Sequence, residues 1–402
     1  MASKTETSGD RTQHDFADFA IIGVTAVSLA FTVLFLCVMP LASFAGVRDF
    51  VVFWATGQQL VHHASPYDGI AMAHIEHAAG FPEKDGVLYM RNPPWSLPLA
   101  LPLGFIGLQA AALLWSLALF ACLVTSVLMI WRMHGRPRGC VHWLGVSFAP
   151  ALLCLLMGQT SLFALLGYVL FLDLHRRRPI MAGISLWLCT LKPHLFLLFG
   201  IVLLAWVLVS RSYRVLVGVA LAMAASCAAA FCIDPTAWSD YARMMRTAAI
   251  QNDRIPCLSV ALRFRVAPQT AWFTYMPIAL GCIWALGYFW TRRHTWDWMK
   301  NGSLLMLVAL LTTPYSWVYD DCLVVPSLLQ GAHVTRSRAM LTVLAFASVV
   351  MSAELLFGVT IPTSFFLWTA PAWLAWYLFA TSIKGTPAVV TPGEAAQIAE
   401  PL

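Results

Sequence analysis

Ionisable residues are scarce in this chain, and the polar residues beside its apolar runs fall into four short groups. These are Arg48 with Asp49, the Gly158-Gln159 pair, Lys192 and His194 on either side of Pro193, and Tyr319 with Asp320 and Asp321. Charged groups in or next to membrane segments are costly and mark function by default. A carboxylate among them can serve as a base, and the neighbouring Arg48 guanidinium would keep Asp49 ionised. Lysine, arginine and histidine close by would hold an anionic phosphate leaving group, where charge develops in the transition state. A single base suits direct displacement with inversion at the reacting carbon, since double displacement needs a second, covalent carboxylate. In a membrane, such chemistry points to a lipid-linked donor. Each group also has a purely structural explanation. Asp49 could cap a helix or pair with Arg48, Lys192 could snorkel to an interface, Gln159 could cap its turn, and Asp320 and Asp321 could sit on a helix dipole.

The elements that must position these groups are set by composition. Of 402 residues, 60% are hydrophobic and only 11% charged, and mean hydropathy is +0.74. A soluble domain carries about a quarter charged residues, so the chain reads as an all-α polytopic membrane protein. Disorder, disulfide-stapled secreted modules and ordinary cytosolic enzymes are excluded on the same ground. The net charge of +6 is spread over loops, and no soluble stretch is long enough for a nucleic-acid surface. Seven cysteines, Cys37, Cys122, Cys154, Cys189, Cys227, Cys282 and Cys322, lie inside apolar runs and read as small buried hydrophobes. His62, His63, His74 and His77 raise the question of zinc, but the His74/His77 spacing comes with no matching carboxylates. No metal and no cofactor is expected.

Residues 1–18 are polar and read as a cytoplasmic tail. From Phe19 to Val47 there is no charge, more than the roughly 20 residues a bilayer crossing needs. A loop over 48–105 follows, with two helix-compatible segments at about 49–63 and 69–79, broken at Ser65-Pro66 and Phe81-Pro82, and expected to lie on the membrane surface. Apolar spans follow at about 106–131, 142–157, 159–174, 180–191, 194–210, 215–233, 271–291, 302–316, 321–333, 339–357 and 364–383, about twelve in all with the first. Residues 19–383 would form one transmembrane domain, with 384–402 a second cytoplasmic tail. Several spans are too short for a full bilayer, and broken helices are tolerated where they line a protein cavity.

Basic loops set the orientation. Arg132/Arg136/Arg138, Arg176/Arg177/Arg178, Arg211/Arg214, Arg292/Arg293 and Arg336/Arg338 all fall on one side, with Lys384, when the N-terminus is cytoplasmic. The four polar groups then share the opposite face. One loop, 234–270, carries Arg243, Arg246, Arg254, Arg263 and Arg265 on that outer face; either the register slips there or these arginines serve an anionic ligand.

Five segments carry a resemblance. Arg48-Asp49-Phe50-Val51-Val52-Phe53-Trp54 with Ser65-Pro66-Tyr67-Asp68, then Asn92-Pro93-Pro94 with Leu101-Pro102-Leu103, then Gly158-Gln159-Thr160-Ser161, then Ala182-Gly183 through Leu191-Lys192-Pro193, and finally Thr313 through Asp320 together resemble glycosyltransferase family 87. This is the DUF2029 group of polyprenol-phosphate-mannose-dependent membrane transferases with the GT-C fold. The likeness runs from about residue 46 to 330. Asn92 and Tyr319 depart from the Tyr and His frequent at those positions in the family.

The resemblance implies a GT-C domain in the plasma (inner) membrane with its site facing the periplasm or exterior. Asp49 maps to the catalytic base, which would deprotonate an acceptor hydroxyl on a glycolipid or glycan. The donor would be a polyprenyl-phosphate sugar, most often mannose, with its phosphate held by Lys192, His194 and Arg91. Arg48, Tyr67, Gln159, Tyr319, Asp320 and Asp321 are the candidates for substrate binding. No divalent metal is implied. Two other readings stay open: a transporter or flippase of a lipid-linked sugar, and a related enzyme using another sugar such as arabinofuranose. The sequence is silent on oligomeric state.

Overall fold

The computed structural model describes residues 23, 46, 48–137, 139–248, 255–335, 337–356 and 363–382. The expected first span and both tails lie outside the described residues, apart from Gly23 and Gly46. Within the described residues the chain is helical, and no strand occurs.

The first loop carries α1 (Phe50–Val61) and α2 (Gly69–Ala78). A run of tight turns from Pro94 to Phe105 leads into α3 (Leu108–Met133). Then come α4 (Ala149–Met157), α5 (Ser161–Leu174) and α6 (Pro179–Ser185), the last drawn out as a 3-10 helix over Leu186–Leu191. The turn Pro193–Phe196 opens α7 (Leu197–Ser210), followed by α8 (Tyr213–Ile233), α9 (Ala237–Thr247) and α10 (Leu258–Val266). The remainder is α11 (Met276–Arg292), α12 (Lys300–Thr312), a 3-10 segment Val318–Val324, α13 (Val325–Val334), α14 (Arg338–Leu356) and α15 (Thr369–Ser382).

The predicted spans after the first coincide with these helices, but their lengths divide them. Four are long and apolar enough to cross a membrane: Leu108–Met133, Pro193–Ser210, Tyr213–Ile233 and Ala271–Arg292. The other described helices are shorter than these four, α14 excepted, so a count of twelve crossings does not follow. They stop early for local reasons. Gly158 takes φ +75° and ends α4. Pro193 cuts the run from α6 into α7, and Pro314 follows the end of α12. These three breaks put irregular backbone and polar side chains inside an apolar bundle, which is tolerable only against protein or a cavity.

The first loop also differs from a surface pair. Helix α1 is enclosed, with Phe50, Val51, Val52, Phe53, Ala55 and Leu60 buried. It lies against the Leu101–Phe105 turn so closely that a Cβ on Gly104 would stand 2.1 Å from the Gly57 carbonyl oxygen. Helix α2, by contrast, buries only Met72 and Glu76. The N-cap Asp68 side chain accepts from the Ile70 and Ala71 amides, which starts α2 where the sequence places it.

Contacts at loop ends agree with the charge pattern. Arg176 pairs with Asp297 at 3.6 Å, which joins two of the basic loops. His134, just after Arg132, stacks on His333, just before the Arg336/Arg338 segment, at 4.4 Å between ring centroids.

Candidate active site

The polar groups meet where the helices break. Gln159 follows the left-handed Gly158 and donates from Nε2 to Asp49 Oδ2 at 2.8 Å. A Cβ at position 158 would sit 2.6 Å from Phe50 Cβ and 3.3 Å from Arg48 Nη2, so glycine lets this turn press against the start of α1. Trp115 of α3 fixes the turn from the other side. Its indole N–H donates to the Gly158 carbonyl at 2.7 Å, and its ring stacks on Phe53 at 5.1 Å. The Arg48 guanidinium donates to the Leu155 carbonyl at 2.9 Å and to Ser116 Oγ at 3.2 Å. It thereby satisfies a carbonyl in the last turn of α4 while standing beside Asp49 in sequence.

Asp320 lies deeper and is fully buried. Its Oδ1 accepts from Ser161 Oγ and from Lys192 Nζ, the latter at 2.7 Å, and its Oδ2 accepts the Trp317 amide at 2.9 Å. Lys192 also stands 4.7 Å above the Tyr319 ring. A buried ion pair is tolerable only with such extra hydrogen bonds. This carboxylate is spoken for on both oxygens.

Asp49 is different. It is half-buried, its side chain makes no cap bond to α1, and Oδ1 accepts no hydrogen bond from any described residue. Burial pushes its carboxyl above the ordinary range, opposed by the Gln159 hydrogen bond and by the charges of Lys192 and Arg48. The cluster therefore contains two carboxylates with opposite prospects. One is held through both oxygens, and the other through one.

Around this core, Tyr315 accepts hydrogen bonds at its hydroxyl from Arg91 Nη1 and Trp317 Nε1, both at 2.9 Å. The His194 ring meets the Tyr315 ring edge-on at 5.4 Å, and its Nε2 has no hydrogen-bond partner among the described residues. Asn92 donates to the Leu191 carbonyl at 2.9 Å, which ties the Arg91–Pro94 segment to the break that carries Lys192.

A sequence model of glycosyltransferase family 87 matches residues 89–314. The chain belongs to glycosyltransferase family 87. It is thus a membrane glycosyltransferase, and the segment that matches holds Arg91, Gln159, Lys192 and His194, with Asp49 lying before it and Asp320 just after it. No curated protein and no solved structure matches this chain.

For this transferase, the residues singled out from sequence divide as follows. Asp49, Gln159, Lys192, Tyr319 and Asp320 gather, with Arg48 at their edge. Arg91 and His194 meet through Tyr315. Tyr67 stands apart: its hydroxyl reaches the Asn92 carbonyl at 3.3 Å and its ring packs on Tyr241 at 5.4 Å. Asp321 points elsewhere, accepting from Trp373 Nε1 at 3.1 Å. Ser161, Tyr315 and Trp317 were not singled out, although all three fall inside the segments that carry the family resemblance. Of the outer arginines, Arg243 pairs with Asp240 at 3.3 Å, Arg246 is exposed, and Arg254 lies outside the described residues.

Proposed function

We propose that this enzyme is a GT-C-type hexosyltransferase, with mannose the first candidate, that uses a polyprenyl-phosphate donor and an acceptor hydroxyl on a glycolipid or glycan. Asp49 is the base. The observation that carries this reading is the contrast between the two carboxylates: Asp49 keeps an uncommitted oxygen at a half-buried position, whereas both oxygens of Asp320 are engaged. The acceptor hydroxyl gives its proton to Asp49 Oδ1 as its oxygen bonds to the anomeric carbon. The bond from that carbon to the donor phosphate oxygen breaks, and polyprenyl phosphate leaves with the electron pair. One base and one displacement invert the anomeric centre.

Lys192, His194 and Arg91 are the groups proposed to receive the phosphate. Lys192 has donors beyond the one given to Asp320, and His194 Nε2 is unpartnered among the described residues. The four charges of Arg48, Asp49, Lys192 and Asp320 cancel, so each added anion needs the cations and dipoles at the edge of the cluster. The site is proposed to open on the extracytoplasmic face of the plasma membrane, on the strength of the basic loops at the other end.

The test is transfer from radiolabelled polyprenyl-phosphate-mannose in membranes holding the wild type or Asp49→Asn. Loss of a general base costs about 10²–10⁴-fold in rate. Label entering a larger glycolipid with wild type alone is the expected result. Equal transfer by both proteins would remove Asp49 from the mechanism. Transfer from another polyprenyl-phosphate sugar, with none from mannose, would keep the base and change the donor.

A further inference from the structure

Away from this site, three histidines from separate segments come together. His134 caps the end of α3, His142 lies in the tight turn Val141–Gly145, and His333 lies in the last turn of α13. His134 Nδ1 and His142 Nε2 are 2.8 Å apart, and the His333 ring lies parallel to that of His134, with 4.4 Å between centroids and 6° between planes. Each can offer one nitrogen such that all three lie within 4.8 Å of one another.

We propose that His134, His142 and His333 form a Zn²⁺ site. Imidazole nitrogens bind zinc at about 2.0–2.1 Å, so tetrahedral ligands stand about 3.3 Å apart. The His134–His142 pair is already near that spacing. His333 is exposed, so its ring is free to swing the remaining distance, leaving the fourth position to water.

The surroundings supply a second argument. His134 Nε2 meets Gln330 Oε1 at 2.8 Å. An amide oxygen accepts, so Nε2 carries the proton and Nδ1 presents its lone pair toward His142. That is the arrangement of a metal-bound histidine, whose far N–H is held by a neighbouring oxygen that fixes the tautomer. His142 is buried, and its Nδ1 has no hydrogen-bond partner among the described residues. Zinc at its Nε2 requires only that the ring proton move to Nδ1; all three imidazoles bind neutral and no net proton is released.

The site is remote from the transferase centre. Ser116, which contacts Arg48, and His134 are both on or at the end of α3, and the 18 residues between them rise about 27 Å. Bound zinc would tie α3 to α13, the helix that continues directly from the segment holding Asp320. It would act as a clamp at the opposite end of the bundle.

The experiment uses full-length protein in detergent, purified without a polyhistidine tag, stripped with chelator and titrated with Zn²⁺ by calorimetry and thermal denaturation. One equivalent bound at micromolar affinity or tighter, with a raised midpoint, is expected. His333→Ala, at an exposed position, should abolish that equivalent without lowering the metal-free midpoint. Gln330→Leu should weaken it about 10–100-fold, as loss of an outer-shell partner does. An absence of stoichiometric binding overturns the proposal. So does binding that survives in His134→Ala/His333→Ala, which would place the metal elsewhere, for instance on His62, His63, His74 or His77.

Discussion

Gln159 Nε2 donates to Asp49 Oδ2 across 2.8 Å, although 110 residues separate them in sequence. The bond fixes the carboxylate at the turn between α4 and α5 and leaves Oδ1 uncommitted. Gln159→Leu removes a hydrogen bond to a charged group, a contribution of about 1.5–3 kcal/mol. Transfer should fall about 10–100-fold. The bond favours the ionised carboxylate and lowers its pKa, so its loss raises that pKa further. The sign follows: activity requires ionised Asp49, and the acid limb of the rate profile moves to higher pH in the variant. A pH–rate series on both proteins checks this, and an unmoved acid limb would detach Gln159 from the base.

Lys192 and Asp320 form a buried pair at 2.7 Å. Removing one partner of such a pair leaves an uncompensated charge and costs about 3–5 kcal/mol. Lys192→Met should therefore lose thermal stability, while Lys192→Met/Asp320→Asn should recover most of it. If Lys192 also receives the donor phosphate, the double variant regains its melting midpoint but not its transfer activity. Recovery of both would make Lys192 a structural residue only.

Much of this arrangement was legible in the sequence. Charge-free runs and prolines placed most of the helices to within a few residues, whereas α9 and α10 fall in the 234–270 stretch that was expected to be a loop. The convergence of Asp49, Gln159, Lys192 and Asp320 followed from locating helix breaks on a topology set by arginine loops. Three things were not legible. Asp320 and Asp321 are adjacent and identical in type, and only packing separates the one paired with Lys192 from the one facing Trp373. Helix α1 carries Gln58, Gln59 and a glycine, which read as surface, yet Gly57 exists to let Gly104 approach. The histidine trio draws on residues 134, 142 and 333, and no local spacing announces a cluster closed by a distant helix end.

Gly158 holds the Asp49 turn through backbone shape. Its φ of +75° lies where side-chain-bearing residues are strained by about 1–2 kcal/mol, and an added Cβ meets Phe50 Cβ at 2.6 Å. Gly158→Ala should lower the melting midpoint and, by displacing Gln159, reduce transfer at least as much as Gln159→Leu. Measured together, the two variants rank backbone placement against the amide itself. Full activity in Gly158→Ala would show that the turn can move without disturbing Asp49.

Glu76 gives the first loop a pH dependence of its own. It is fully buried on α2; Oε2 accepts the Leu88 amide at 2.9 Å, and Oε1 has no partner among the described residues. Burial raises its pKa from 4.5 to about 7, against the smaller opposing effect of the Leu88 bond. A carboxyl whose pKa is higher folded than unfolded favours the protonated, folded form. The stability it contributes is complete below about pH 4.5 and is lost as pH rises through about 7, with a ceiling on the order of 3 kcal/mol. Glu76→Gln keeps an oxygen for Leu88 and carries no charge. Thermal denaturation at pH 5 and pH 8 should show the wild type losing more stability than Glu76→Gln over that interval, with amide protection factors in residues 69–88, taken relative to the intrinsic rate at each pH, falling more in the wild type. Identical shifts in the two proteins would mean that Glu76 ionises without cost and that the loop has another source of polar satisfaction.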